Sequence, residues 1–282
     1  MKKNGILVLM TMLAINLMQA QIQTPAASPG AKVEQRIGLT DVTVEYSRPS
    51  VKKRVIFGGL VPYGDVWRTG ANAATKITFS EDVNFGGADV KKGSYALLTK
   101  PGMTTWTMML YPHNSTDWTS YSGSDVTPIS VTATPYPLSK DMHVESLMMG
   151  FDNLTNSSAD FFVLWDNVYL PVAIKVGTDK AVEESITKVM AGPTAGDYYS
   201  AGNYYFTEGK DLNKALEWVN KSLAMGNEKY WVLRTKSLIQ AGLGDKKGAI
   251  ETAIRSLELA TKDSNKDYIR MNEASIAEWK KM

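Results

Sequence analysis

The chain has 282 residues, with 31 basic and 29 acidic side chains, two histidines and no cysteine. That excludes disulfides, thiolate chemistry and cysteine-ligated metal. Without disulfides, stability must come from apolar cores, which a chain of this length readily builds, and the near-neutral charge balance gives no long-range pull toward nucleic acid or an anionic membrane.

The first 20 residues read as a secretory signal peptide: Lys2 and Lys3, an apolar run from Gly5 to Met18, and Ala20 before a cut ahead of Gln21. The run is too short to span a membrane and is interrupted by Asn16, so no transmembrane span is expected. No cysteine follows to carry a lipid. The expectation is a chain exported to the periplasm or beyond. Removal of Lys2 and Lys3 from the 31 basic residues leaves 29 of each sign. Residues 21–30, ending in Ser28-Pro29-Gly30, read as a flexible lead-in.

Residues 31–178 carry the period of strands. Val42, Val44 and Tyr46 alternate with polar neighbours, as do Ile77 and Phe79. The same holds for Trp106, Met108 and Leu110, for Ile129, Val131 and Ala133, and for Val168 to Ile174. Period two with one apolar face marks half-buried antiparallel strands. Short strands between turns such as Phe85-Gly-Gly87 and Lys100-Pro-Gly102 predict a β-sandwich, or an open barrel. Pro171 predicts that the last strand is an edge or bulged. The basic run Lys52-Lys53-Arg54 reads as a solvated turn.

Within this region, Phe57 to Asn72 places Tyr63, Asp65, Trp67, Arg68 and Asn72 among glycines 58, 59, 64 and 70. Loops on a rigid sheet are where binding residues gather. Arg68 offers a planar fork of donors for a carboxylate or phosphate, and Tyr63, Trp67 and Trp118 offer rings for stacking. Arg48, held extended by Pro49, is a further candidate. The structural alternative is that Trp67 plugs the end of the sandwich, Arg68 pairs with Asp65 or Asp82, Asn72 bonds the turn, and Arg48 makes an ion pair across the sheet.

Catalytic chemistry finds little support. There is no Gly-x-Ser-x-Gly elbow. His113 and His143 lack metal-ligand spacing, and Asp117 with Asp125 match no calcium-loop pattern. No metal or cofactor is therefore expected. Asp65 with Asp82 or Asp117 is the one carboxylate pair a glycosidase could use.

From 179 to 282 the period becomes helical. Leu212, Ala215, Leu216, Val219 and Leu223 recur at three and four, as do Ala249, Ile250, Ala253, Ile254 and Leu257. Aligning Asp211 with Asp245 superposes the two segments at an offset of 34 residues, the tetratricopeptide period. First helices are placed at Tyr198–Glu208 and Lys229–Ala241. The glycine slot of that repeat holds Asn203 and Ser237, and its tryptophan slot Tyr199 and Leu233.

The words Tyr46-Ser-Arg-Pro49, Gly59 to Asn72, Lys92-Gly-Ser-Tyr95 and Pro101 to Trp106 resemble a family of exported bacterial proteins, domain of unknown function 2911, over about residues 30–177. The resemblance implies a compact β-domain, often followed by a helical repeat tail, and no activity. The chain departs from the family pattern at Ala73, where an acidic residue is usual, and at Thr119, where glycine is usual. The expectation is a non-catalytic envelope module that binds a ligand or a partner protein, peptide or glycan. The alternatives are an envelope hydrolase acting on carbohydrate or another polar small molecule, and a structural envelope component.

Overall fold

A computed structural model describes residues 24–281 except 124, 140 and 191. The expected signal peptide lies outside the described residues. The chain divides into two compact units, one ending at Thr178 and one beginning at Asp179.

The first unit is a sandwich of two antiparallel six-stranded sheets, with no closed barrel. One sheet has the order β1 (Gly30–Ile37), β2 (Thr40–Ser47), β3 (Thr75–Phe79), β6 (Gly93–Lys100), β7 (Trp106–Pro112), β8 (Ile129–Ala133). The other runs β10 (Val144–Asp152), β11 (Ser158–Asp166), β12 (Val168–Val176), β4 (Val83–Phe85), β5 (Ala88–Val90), with β9 (Tyr136–Pro137) also paired to β12. Alternate residues of each strand point inward, so Val42, Val44, Ile77, Trp106 and Met108 meet Phe161, Val163, Trp165 and Ile174 in one core. Ser28 and Pro29 are held ahead of β1, their carbonyls accepting from Asn72 Nδ2 at 3.2 Å and Arg48 N at 2.9 Å.

β12 is not an edge strand. It pairs with β11 along its length, and on its other side with β9 at Val168–Tyr169 and with β4 at Ile174–Val176. Pro171 falls between those two partial partners, where no ladder asks for its missing N–H. Three of the four true rims, all but β8, are blunted in other ways. β1 exposes Lys32, Glu34 and Arg36. β5 has three residues, and β10 shifts register between Val144 and Met148.

β6 is buried from Tyr95 to Thr99 on both faces. Its inner face joins the core. Ala96 and Leu98 on the outer face are covered by Tyr121, Trp118 and Val66. A short 3₁₀ turn, Trp118–Ser120, carries that cover, capped by the Asp117 side chain.

The second unit comprises α1 (Thr178–Val189, whose first residue belongs to the β-unit), α2 (Ala195–Thr207), α3 (Leu212–Ala224), α4 (Tyr230–Gly242), α5 (Lys246–Lys262) and α6 (Lys266–Lys281). Asp211 and Asp245 both cap the helices they precede, accepting from backbone N–H groups of the first turn. Ser222 and Ser256, again 34 apart, donate to the carbonyls of Ala195 and Tyr230 at 2.7 Å each. The close helix approach is made by Gly202, where an added Cβ would lie 2.7 Å from Val219 Cγ2. It stands one position before the expected glycine slot.

Candidate functional site

The segment from Pro49 to Ala74 leaves β2, crosses the end of the sandwich and returns to β3. Its anchor is Trp67, whose backbone exchanges two hydrogen bonds with Thr99, at 2.7 and 2.8 Å. Trp67 thereby occupies the place beside β6 that β3 leaves vacant beyond the Thr75–Leu97 pair. Its ring stacks on Trp165 at 5.7 Å and 19°, meets Phe57 and Trp106 edge-on, and donates through Nε1 to the Gly70 carbonyl. Trp67 does plug the end of the core.

The residues after it are over-determined. Thr69 is fully buried at φ 53° and Asn72 lies at φ 59°. Positive φ is unfavourable for a β-branched residue and persists only where the surroundings enforce it. For Thr69 they do: its hydroxyl donates to Thr99 Oγ1 at 3.2 Å, and its carbonyl accepts from Thr75 Oγ1 at 2.7 Å.

This frame holds Arg68. The guanidinium lies over the Trp118 ring, 5.4 Å from its centroid. Its Nε is buried and has no hydrogen-bond partner among the described residues. The expected pairing with Asp65 or Asp82 does not form: Asp82 is bound instead by Lys91 Nζ at 2.8 Å and Lys92 N at 2.9 Å. Those bonds hold the Asp82 carboxyl below its ordinary range. Arg48 likewise makes no ion pair across the sheet among the described residues. Its Nε donates to the Leu147 carbonyl at 2.8 Å, tying the strand end to β10.

Asp65, Trp67, Arg68 and Trp118 line one cavity of about 330 Å³, with Arg54, Trp165 and apolar neighbours such as Val61 and Val66. Arg54 is fixed by its own turn, donating to the carbonyls of Val51 at 3.0 Å and Ser50 at 2.5 Å. Sequence reasoning named the 52–54 turn but not Arg54 as part of the site, because only the fold brings it there. Tyr63, Asn72 and Arg48 lie outside the lining. Tyr63 is 45 % exposed, and Asn72 Nδ2 donates to Ser28 O and Ser47 Oγ.

Of the lining residues only Asp65 is a carboxylate. Asp82 lines a separate groove, and Asp117 is committed to Thr119, accepting from its N at 3.0 Å and Oγ1 at 2.8 Å. The paired carboxylates of a glycosidase are therefore not assembled in this cavity. Among the described residues no group of three or more histidine, aspartate or glutamate side chains could hold a metal. Ala73 is exposed in another groove, with Lys32, Glu45, Lys76 and His113.

The first unit is thus a two-sheet sandwich with a loop-built cavity at one end. A family model described as a protein of unknown function, DUF2911, matches residues 28–174, more than half of the chain, and the chain belongs to that family. No curated protein and no solved structure matches it.

Proposed function

We propose that the chain is an exported, non-catalytic binding module of the cell envelope that takes a small polar ligand in the Trp67–Arg68–Trp118 cavity. One observation carries the reading: a guanidinium that has a buried, unpaired Nε and no ion-pair partner among the described residues forms part of the wall of a cavity lined by aromatic rings. Pockets of this size with few polar groups are typical of small-ligand sites. A purely structural component would have satisfied Arg68 internally, and a hydrolase would need a second carboxylate near Asp65.

The helical unit is read as a short tetratricopeptide-like array, on the 34-residue recurrence of its Asp caps and buried serines. Such arrays offer surfaces for partner proteins or peptides. Export rests on the residue pattern of positions 1–20.

The test is a thermal-shift and tryptophan-fluorescence screen of the chain from Gln21 onward, with cell-wall sugars, short peptides, nucleosides and organic acids. Trp67, Trp118 and Trp165 line the cavity, so an occupant should raise the melting temperature and change their emission together. A screen in which no compound does both at millimolar concentration removes the reading.

A further inference from the structure

Resting on that reading, we infer that the ligand is a small organic anion, a carboxylate or phosphate carried on a flat apolar body, with Arg68 as its anion-binding residue.

The charge of the lining points to an anion. Two arginines, Arg54 and Arg68, face one aspartate. Neither guanidinium is ion-paired among the described residues, Arg54 donating to main-chain carbonyls and Arg68 resting on an aromatic face. Burying a charged donor without an acceptor is costly, and Nε of Arg68 is in that state. An incoming oxyanion would compensate that charge by accepting from the two Nη groups, in the bidentate manner that suits guanidinium. A neutral sugar would leave the charge uncompensated. It would also find Nε1 of Trp67 already committed to Gly70.

The body of the ligand is set by the walls. Trp67, Trp118 and Trp165, with Val61, Pro62 and Val66, surround a space of about 330 Å³. That is near the lower end for small-molecule pockets, which fits a one-ring compound better than a polymer. The strained backbone at Thr69, buried and bonded on both its hydroxyl and its carbonyl, fixes Arg68 before any ligand arrives. Little ordering cost is left for the binding step.

The experiment uses the chain from Gln21 onward and titration calorimetry with four probes: benzoate, phenyl phosphate, inorganic phosphate and benzamide. Benzoate and phenyl phosphate should bind, the tighter of them identifying the anion. Benzamide, matching benzoate in shape but neutral, should bind at least tenfold more weakly. Inorganic phosphate, which has no ring, should also be weaker than phenyl phosphate. Arg68→Met should weaken the anions at least tenfold and leave benzamide unchanged, and Arg68→Lys should recover part of the loss. Circular dichroism of each variant verifies its fold. Should Arg68→Met not fold, the benzoate-to-benzamide ratio of the unaltered protein decides alone.

Equal binding of benzamide and benzoate, or anion binding unaffected by Arg68→Met, overturns the anion assignment while the binding module stands. Failure of all four probes also overturns it. A neutral hit in the wider screen would then keep the module, and an empty screen would remove both.

Discussion

Arg68 separates what its sequence neighbourhood suggests from what the fold enforces. Asp65 lies three residues away, an easy ion-pair partner on paper. The left-handed turn at Thr69 and the strand-like pairing of Trp67 with Thr99 instead direct the guanidinium onto Trp118. Asp65 stays exposed and makes no salt bridge among the described residues. Its remaining influence is a like-charge penalty on an anionic occupant of the cavity. Asp65→Asn should therefore tighten benzoate by about two- to fivefold, the range of a weak exposed charge interaction, measured by the same titration. A hydrolase would instead lose turnover in that variant. The loop and its aromatic residues were legible in the sequence because glycines and rings cluster there. The isolation of Arg68 was not, since it depends on the backbone conformation of one threonine.

At the level of elements, legibility tracked exposure. β2, β3, β7, β8 and β12 alternate because one face is wetter than the other, and the alternation was readable. β6 is buried on both faces, and β11 carries Phe162 and Leu164 on its half-buried outer face. Leu98 lies beneath Tyr121 and Trp118, and Phe162 packs on Tyr169 at 5.7 Å on the outer side of its sheet. A strand covered on both sides loses period two. The proline of β12 misled because its rule concerns missing hydrogen bonds, and this strand has a gap where one is not needed.

The junction of α1 and α2 carries its own expectation. Lys210 Nζ binds Asp179 at 2.6 Å and Glu183 at 3.4 Å, while the hydroxyls of Tyr204 and Tyr205 donate to the same two carboxylates. The bond from Lys210, then that from Tyr204, holds the Asp179 carboxyl below its usual range. A depressed carboxylate contributes stability above its unfolded value, about pH 4, and that contribution fades as pH falls through the lowered folded value. Protection of the α1 amides, taken relative to their intrinsic exchange rate, should thus fall as pH drops below about 4. Asp179→Asn should abolish most of that fall, and protection insensitive to acid would show that these contacts do not hold α1.

On the scale of the molecule, each unit has apolar packing of its own. Among the described residues the first unit has a large cluster between its sheets and a small one over the outer face of β6, and the helices have two, around Trp218 and around Trp279. Units with separate cores unfold separately unless a large interface couples them. A fragment of residues 21–178 should remain soluble and strand-rich by circular dichroism and keep its benzoate affinity within about twofold. A helical or aggregated fragment would show that the sandwich needs the helical unit to fold.

The blunted rims of the two sheets bear on how copies of this chain coexist. A neighbour approaching β1 sidelong meets alternating lysine, glutamate and arginine. At β5 it finds too few residues to build on, and at β10 a ladder out of step. Each obstacle works against recruiting another strand and hence against fibre growth. Three of the four rims are in this way closed to a neighbour without any covalent cross-link to police them.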